Sequence, residues 1–274
     1  MTELLSSACR TFADPGFELQ RPADAAVIMV TILRATIADA LASVFAQDLH
    51  GRIHIVIGID KPISENLLAL EKICGQHPPN CAVTVFYPGY STSVRHGGLH
   101  PSMDGGVLRT ALSYLANGAK LAYLDDDNWW HPSHLRTMLA AMNGQQWAYS
   151  YRWYVDAESR QPICVDEWES IGPGKGYFQK IGGWVDPNCL MIDKLVCEPI
   201  LRFWSLPLPG IPAGYLADRH VFHYLHSNFR GAPTGAATSY YALNTKDGMH
   251  AFRQTWIRTR PKELTGSSLY QPPK

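Results

Sequence analysis

Four short apolar runs, each separated from the next by a stretch of helical spacing, limit this chain to very few architectures. Residues 25–31, 52–59, 82–86 and 119–124 are predominantly apolar, and the first of them is rich in Val and Ile. That is the pattern of strands buried on both faces. Between the first two, residues 36–47 place Ile37, Ala40, Leu41, Val44 and Phe45 at helical spacing. A second strand stops at Asp60-Lys61-Pro62, and Ser64 then caps a helix to about Cys74. After a Gly-, Ser- and His-rich loop over residues 87–102, a third helix spans about 104–116 and ends at Asn117-Gly118. Neighbouring parallel strands require a crossover element, so this alternation predicts a βαβαβαβ unit. The expected class is α/β, with a Rossmann-like, mostly parallel sheet flanked by helices in a single domain.

Downstream, residues 132–142 read as a helix. Residues 146–155 read as an aromatic strand paired with 162–166 across a turn at 157–160, which would make the sheet mixed. Residues 172–176 (GPGKG) read as a flexible loop and 188–192 as a further strand. A helix over 213–227 would present Asp218, His223 and His226. The organisation expected is one domain over 1–259, with a nucleotide- and metal-binding half (24–130) and an acceptor-binding half (131–259). The polar tail 260–274 is expected to be poorly ordered.

Composition removes several classes of function. With 24 basic and 24 acidic residues there is no net field to gather nucleic acid. No apolar stretch approaches the roughly 20 residues of a membrane span. Glu3 follows Met1 closely and no secretory apolar run is present, so a cytoplasmic location is expected. The six Cys (9, 74, 81, 164, 189, 197) form no CxxC, which argues against zinc knuckles and redox pairs and leaves mostly buried thiols.

The chemistry concentrates at Asp125-Asp126-Asp127, directly after the fourth apolar run and so at the carboxyl edge of a parallel sheet, where such folds bind ligands. Three adjacent carboxylates repel one another. A hard cation, Mn²⁺ or Mg²⁺, with phosphate oxygens between them relieves that repulsion. The plainer alternative is a solvated turn in which Asp127 or Asn128 caps the next helix. Asp60 ends the second strand on the same edge, and its acceptor-only carboxylate suits a base N–H or a ribose; alternatively it is a turn residue before Pro62. Thr31, Arg34 and Arg109 lie within reach of a nucleotide diphosphate on the same topology. The 172–176 loop lacks the spacing of a P-loop and reads better as a lid carrying Lys175. Trp129, Trp130, Trp153, Trp168 and Trp184 fall in or after the site, either packing in the core or offering faces to a sugar-bearing acceptor.

The segments AAVIMVTILRATIADALASVFAQ, IHIVIGID and GGVLRTALSYLANGAKLAYLDDDNWWHPSHL together resemble the nucleotide-binding half of family 2 glycosyltransferases of the GT-A fold. The resemblance is clear over residues 24–142 and loose beyond. Val30-Thr31-Ile32-Leu33-Arg34 keeps the Thr and Arg of the family's first-strand motif but lacks its Pro, Tyr and Asn. Ile59-Asp60-Lys61-Pro62 replaces the usual Asp-Asp-Gly-Ser, Leu108-Arg109-Thr110 matches an Ala-Arg-Asn helix, and Asp125-Asp126-Asp127 matches the Asp-x-Asp motif.

The resemblance implies a hexosyltransferase-like enzyme that takes a UDP- or GDP-sugar donor and a sugar-bearing or other hydroxyl acceptor. By it, Asp127 is the main metal ligand, while Asp125 or Asp126 touches ribose or a metal-bound water, with Asp125 also counted toward the metal. His223 or His226 could complete the metal shell, although a lone helix His is more often merely packed or exposed. Inverting transfer needs a base opposite the leaving group. Asp218 is the choice, since Ala217-Asp218 resembles the family's Glu-Asp pair with Ala in the Glu position; Glu167, Glu169 and Asp186 compete. Two other functions fit part of the pattern: a nucleotidyltransferase, which lacks support because no Gly-rich phosphate loop precedes Arg34, and a binding protein of the same fold without turnover.

Overall fold

Alternate residues of the first long strand face opposite ways, and the two sets lie in different cores. In the computed structural model, which describes residues 9–61, 66–206 and 217–260, an edge strand β1 (Cys9–Phe12) precedes β2 (Ala25–Thr31), α1 (Ile37–Phe45), β3 (Ile53–Ile59), α2 (Asn66–Cys74) and β4 (Cys81–Phe86). Next come α3 (Gly106–Leu115), β5 (Lys120–Tyr123), β6 (Trp129–Trp130), α4 (His134–Ala141), β7 (Trp147–Val155) and β8 (Pro162–Val165). The chain continues through β9 (Gly172–Pro173), β10 (Gly183–Trp184), β11 (Leu190–Asp193), a 3-10 helix (Glu198–Ser205), α5 (Ala217–Asn228), β12 (Gly231–Ala242) and α6 (His250–Thr259). Ala25, Val27 and Met29 pack with Leu41 and Val44 of α1, Leu70 of α2 and Met138 of α4. Ala26 and Ile28 pack with Leu112 of α3, Trp204, and Phe222 and Leu225 of α5. Burial of each large aliphatic contributes about 1.5–3 kcal/mol, so a strand apolar at every position serves both layers at once.

The ten-stranded sheet runs β1-β4-β3-β2-β5-β11-β7-β12-β6, with β8 paired to β7. Strands β4, β3, β2 and β5 are mutually parallel, as the four apolar runs require. Antiparallel β11 then joins β5 to β7, so the sheet becomes mixed, and β7 pairs with β8 as expected.

Three features differ from the sequence expectation. Residues 172–173 do not form a free lid; they pair with β10 in a two-stranded ribbon. Strand β12 was not foreseen: GAPTGAATSYYA carries two Gly and a Pro, yet it lies parallel to β7 over that strand's whole length. Its Gly231 is required by contact, because a Cβ there would sit 2.0 Å from the Trp147 ring. Helix α6 was also missed. The Ser64 cap, the 213–216 start of the α5 pattern, the first eight residues and the tail from 261 lie outside the described residues. Five of the six thiols are buried. No helix among the described residues is long and apolar enough to cross a membrane.

Candidate active site

Because β2, β3 and β5 are parallel, Thr31, Asp60 and the Asp triplet emerge on one sheet edge. There they line a cleft of about 460 Å³ closed by the start of α3 and by α5 and α6. The turn after β2 is held in an unusual conformation: Leu33 has φ 63° although its side chain is buried. Its N–H donates to Thr31 Oγ1 (2.8 Å) and its carbonyl accepts from Asn66 (2.9 Å). A left-handed non-glycine residue costs about 1–2 kcal/mol. The effect here is to aim Arg34 at Asp126 (2.7 Å) and Asp127 (3.1 Å). On the opposite wall Gly105 has φ 66°, and a Cβ there would lie 2.3 Å from Val30 Cγ1, so the α3 N-terminus can approach the sheet only with glycine.

The three carboxylates have different surroundings. Asp126 is 3% exposed and turned inward, with Thr31 Oγ1 donating to its Oδ2 (2.6 Å) and Arg34 to its Oδ1. Thr31 and Asp126 therefore spend their polar atoms on each other and on the β2 turn. Asp125 accepts from Arg109 (2.5 Å) and from Asn188 Nδ2 (2.9 Å). Asp127, 34% exposed at its side chain, faces the cleft with Arg34 and Asn128 beside it. Burial, together with the like charges of Asp125 and Asp126, pushes its carboxyl up to about 7. Burial also raises Asp126, against the opposing pull of Arg34. Asp60 is buried, and its Oδ1 takes the Thr92 N–H (2.5 Å) and Ser91 hydroxyl (3.2 Å) while Oδ2 has no hydrogen-bond donor among the described residues. Seven of the eight residues expected to hold donor and metal (31, 34, 60, 109, 125, 126 and 127) line the same cleft.

The far wall is a buried ion network with no local sequence signal. Arg152, fully buried on β7, contacts Asp166 (2.9 Å), Glu169 (2.7 Å) and Asp186 (2.5 Å). Arg253 of α6 adds bonds to Glu169 (2.6 Å) and Asp247 (2.6 Å). Burial alone would raise Glu169, but Arg152 and Arg253 outweigh it and hold it below the usual range. Arg219 lies between the rings of Phe178 (3.6 Å) and Trp184 (3.7 Å). Only a chain that brings β7, α5 and α6 together assembles these groups.

Asp218, in the first turn of α5, lines the cleft, and its Oδ1 accepts the Arg219 N–H (2.8 Å). Of its competitors, Glu169 and Asp186 are committed to guanidinium partners, and Glu167 does not line the cleft. His223 corrects an expectation: it is exposed on the outer face of α5, beside His226 and outside the cleft lining. Among the described residues no three His, Cys, Asp or Glu side chains converge as a metal cage. Trp130, Trp147, Trp184 and Trp204 are buried in the core, while Trp129, Trp153 and Trp168 are half-buried.

Nine carboxylates (60, 104, 125, 126, 127, 169, 186, 218, 247) line this cleft against five guanidiniums (34, 95, 109, 219, 253) and no lysine. Such a cleft repels a free diphosphate. It suits a hard cation that takes one or two carboxylates and fills its remaining positions with phosphate and water, so the donor set fits Mn²⁺ or Mg²⁺ without a closed protein cage.

No family model and no curated protein matches this chain. Solved structures do. Residues 1–349 of S. aureus TarS align with TM-score 0.56 at 15% identity, over 80% of this chain and 60% of that one. The same fragment in complex with UDP-GlcNAc gives 0.56 at 15%, over 82% and 60%. The mannosyltransferase PcManGT from Pyrobaculum calidifontis, in complex with GDP-Man and Mn²⁺, gives 0.53 at 15%, over 85% and 60%. The chain has the GT-A glycosyltransferase fold. It spans about three fifths of the length of these structures.

Proposed function

We propose that this chain is a metal-dependent, inverting glycosyltransferase that moves a sugar from a nucleoside diphosphate sugar, UDP- or GDP-linked, to a hydroxyl acceptor. The observation that carries it is the acidic cluster on the carboxyl edge of the sheet, with Asp127 pushed up to about 7 and open to a cleft of net negative charge. A cation bound at Asp127, with Asp125 beside it, would supply the positive charge that stabilises a departing nucleoside diphosphate. Asp60, through the oxygen left open, offers an acceptor to the base or ribose, while Arg34 and Arg109 keep the triplet oriented. The acceptor oxygen attacks the anomeric carbon, the bond from that carbon to the diphosphate oxygen breaks, and the hydroxyl proton passes to Asp218. Supporting this role, Asp218 is the one candidate base in the cleft not already held by guanidinium partners.

The complexes of similar structures with UDP-GlcNAc and with GDP-Man and Mn²⁺ agree with this reading. Incubation with UDP- and GDP-sugars and Mn²⁺ should release nucleoside diphosphate, and Asp127→Asn should abolish the release. Asp218→Asn should lower turnover about 10²–10⁴-fold with donor affinity little changed. Pyrophosphate formed instead from a nucleoside triphosphate and a sugar phosphate would make the protein a nucleotidyltransferase. Binding without turnover would make it a non-catalytic member of the fold.

A further inference from the structure

Two buried asparagines grip the acidic cluster in the same way from opposite sides. Asn188, with no exposed surface, accepts the Asp125 N–H on its Oδ1 (2.7 Å) and donates its Nδ2 to Asp125 Oδ2 (2.9 Å). Asn128, 3% exposed, accepts the Ala242 N–H of β12 on its Oδ1 (3.0 Å) and donates its Nδ2 to Asp127 Oδ1 (3.1 Å). Each amide is thus fixed through its oxygen to a backbone N–H and turns its one remaining group, an N–H₂, onto a carboxylate that faces the cleft. Asn188 is further held by Asp186, whose Oδ1 accepts both its Nδ2 (2.6 Å) and its backbone N–H (2.9 Å). Asp186 is itself anchored by Arg152 (2.5 Å). The placement follows from sheet register: β11 pairs antiparallel to β5 with Met191 opposite Ala122, which carries residue 188 to the level of residue 125.

From this arrangement we infer that Asn128 and Asn188 are positioning residues which aim Asp127 and Asp125 at a shared cation. The inference rests on the cleft being a cation–diphosphate site. Three adjacent carboxylates repel, and side chains free to rotate would swing apart. A guanidinium could hold them, as Arg34 holds Asp126 and Arg109 holds Asp125, but it also cancels the charge that attracts a metal. A neutral amide supplies direction without charge. It orients the carboxylate without adding to the positive charge that Arg109 already brings to Asp125 and Arg34 to Asp127, which is how outer partners of metal ligands act generally.

The test is a titration of UDP and GDP binding against Mn²⁺ for the wild type and for Asn188→Ala, Asn188→Ser, Asn128→Ala and Asn128→Ser, with melting curves in parallel. The serine variants keep a hydrogen-bonding group too short to bridge, so a folded variant is available at each site if alanine fails. A variant that is only partly folded lowers the amplitude of binding and leaves the Mn²⁺ midpoint in place, whereas lost positioning moves the midpoint. The expected result is a midpoint raised about 10–100-fold in folded variants. Unshifted midpoints in folded variants of both sites, with the wild type still showing manganese-dependent binding, would overturn the positioning role and leave the functional reading intact. Absence of manganese-dependent binding in the wild type would overturn the reading of the cleft itself.

Discussion

Replacing Asp127 by Asn removes one negative charge from a cluster that works against folding while no cation is bound. The carboxyl rises from its ordinary 3.8 to about 7 because of burial and of Asp125 and Asp126. Between those values the folded protein holds a proton that the unfolded chain has released, so stability falls as pH rises through this window. The full rise corresponds to about 4 kcal/mol. The side chain is 34% exposed, and solvent screening reduces this to about 1–2 kcal/mol. Arg34 keeps its 2.7 Å bond to Asp126 in the variant, so little else is lost. In EDTA at pH 8, Asp127→Asn should therefore melt about 3–6 °C above the wild type. At pH 5.5, midway through the window, the difference should be about half as large, and it should vanish only below about pH 4, where the unfolded chain is protonated too. Comparing the two proteins at each pH cancels the acid destabilisation from His54 and His134, which burial holds down at about 4 and about 3. Mn²⁺ at ten times its dissociation constant should then stabilise the wild type by about 1.4 kcal/mol and leave the variant unmoved. A wild type more stable than Asp127→Asn in EDTA at pH 8, or a difference independent of pH, would refute the electrostatic argument for the cluster.

Other perturbations read other parts of the molecule. Arg152→Leu strands Asp166 and Asp186 in a dry interior and should cost about 3–5 kcal/mol, measured as a fall in the urea midpoint. Gly231→Ala drives a methyl into the Trp147 ring and should cost about 1–3 kcal/mol by the same assay; an unchanged midpoint would mean β12 can move away. Burial pushes the thiols of Cys74, Cys81, Cys189 and Cys197 up to about 12, so at pH 8 these four should resist a disulfide reagent until the protein unfolds. Rapid labelling of them in the native state would show that the core opens locally.

Much of the N-terminal half was legible because it is local. The 25–31 run matches β2 residue for residue, and α1, β3, β4 and α3 fall within a few residues of their patterns. Once four strands are parallel, chain connectivity alone brings Thr31, Asp60 and Asp125–Asp127 to one edge, so those residues could be gathered into one site without coordinates. The late histidines misled because helical spacing says which residues share a helix and not which way that helix is turned: α5 turns Asp218 to the cleft and His223 to solvent.

The far half depends on pairing between distant segments. Strand β12 has small residues, two Gly and a Pro, and becomes a strand only because β7 offers a long apolar edge to pair with. Arg152, Glu169, Asp186 and Arg253 read as ordinary charged residues one at a time; their meaning arises when β7, β10 and α6 meet and water is excluded. Asn128 and Asn188 are the sharpest instance, since nothing near residue 188 in sequence announces a partner at residue 125. Hydrophobic periodicity and chain connectivity are properties of neighbouring residues and survive in the one-dimensional text. Asp125 meets its asparagine across 63 positions, and the asparagine beside Asp127 is held from 114 positions away; those bonds exist only after the sheet has closed.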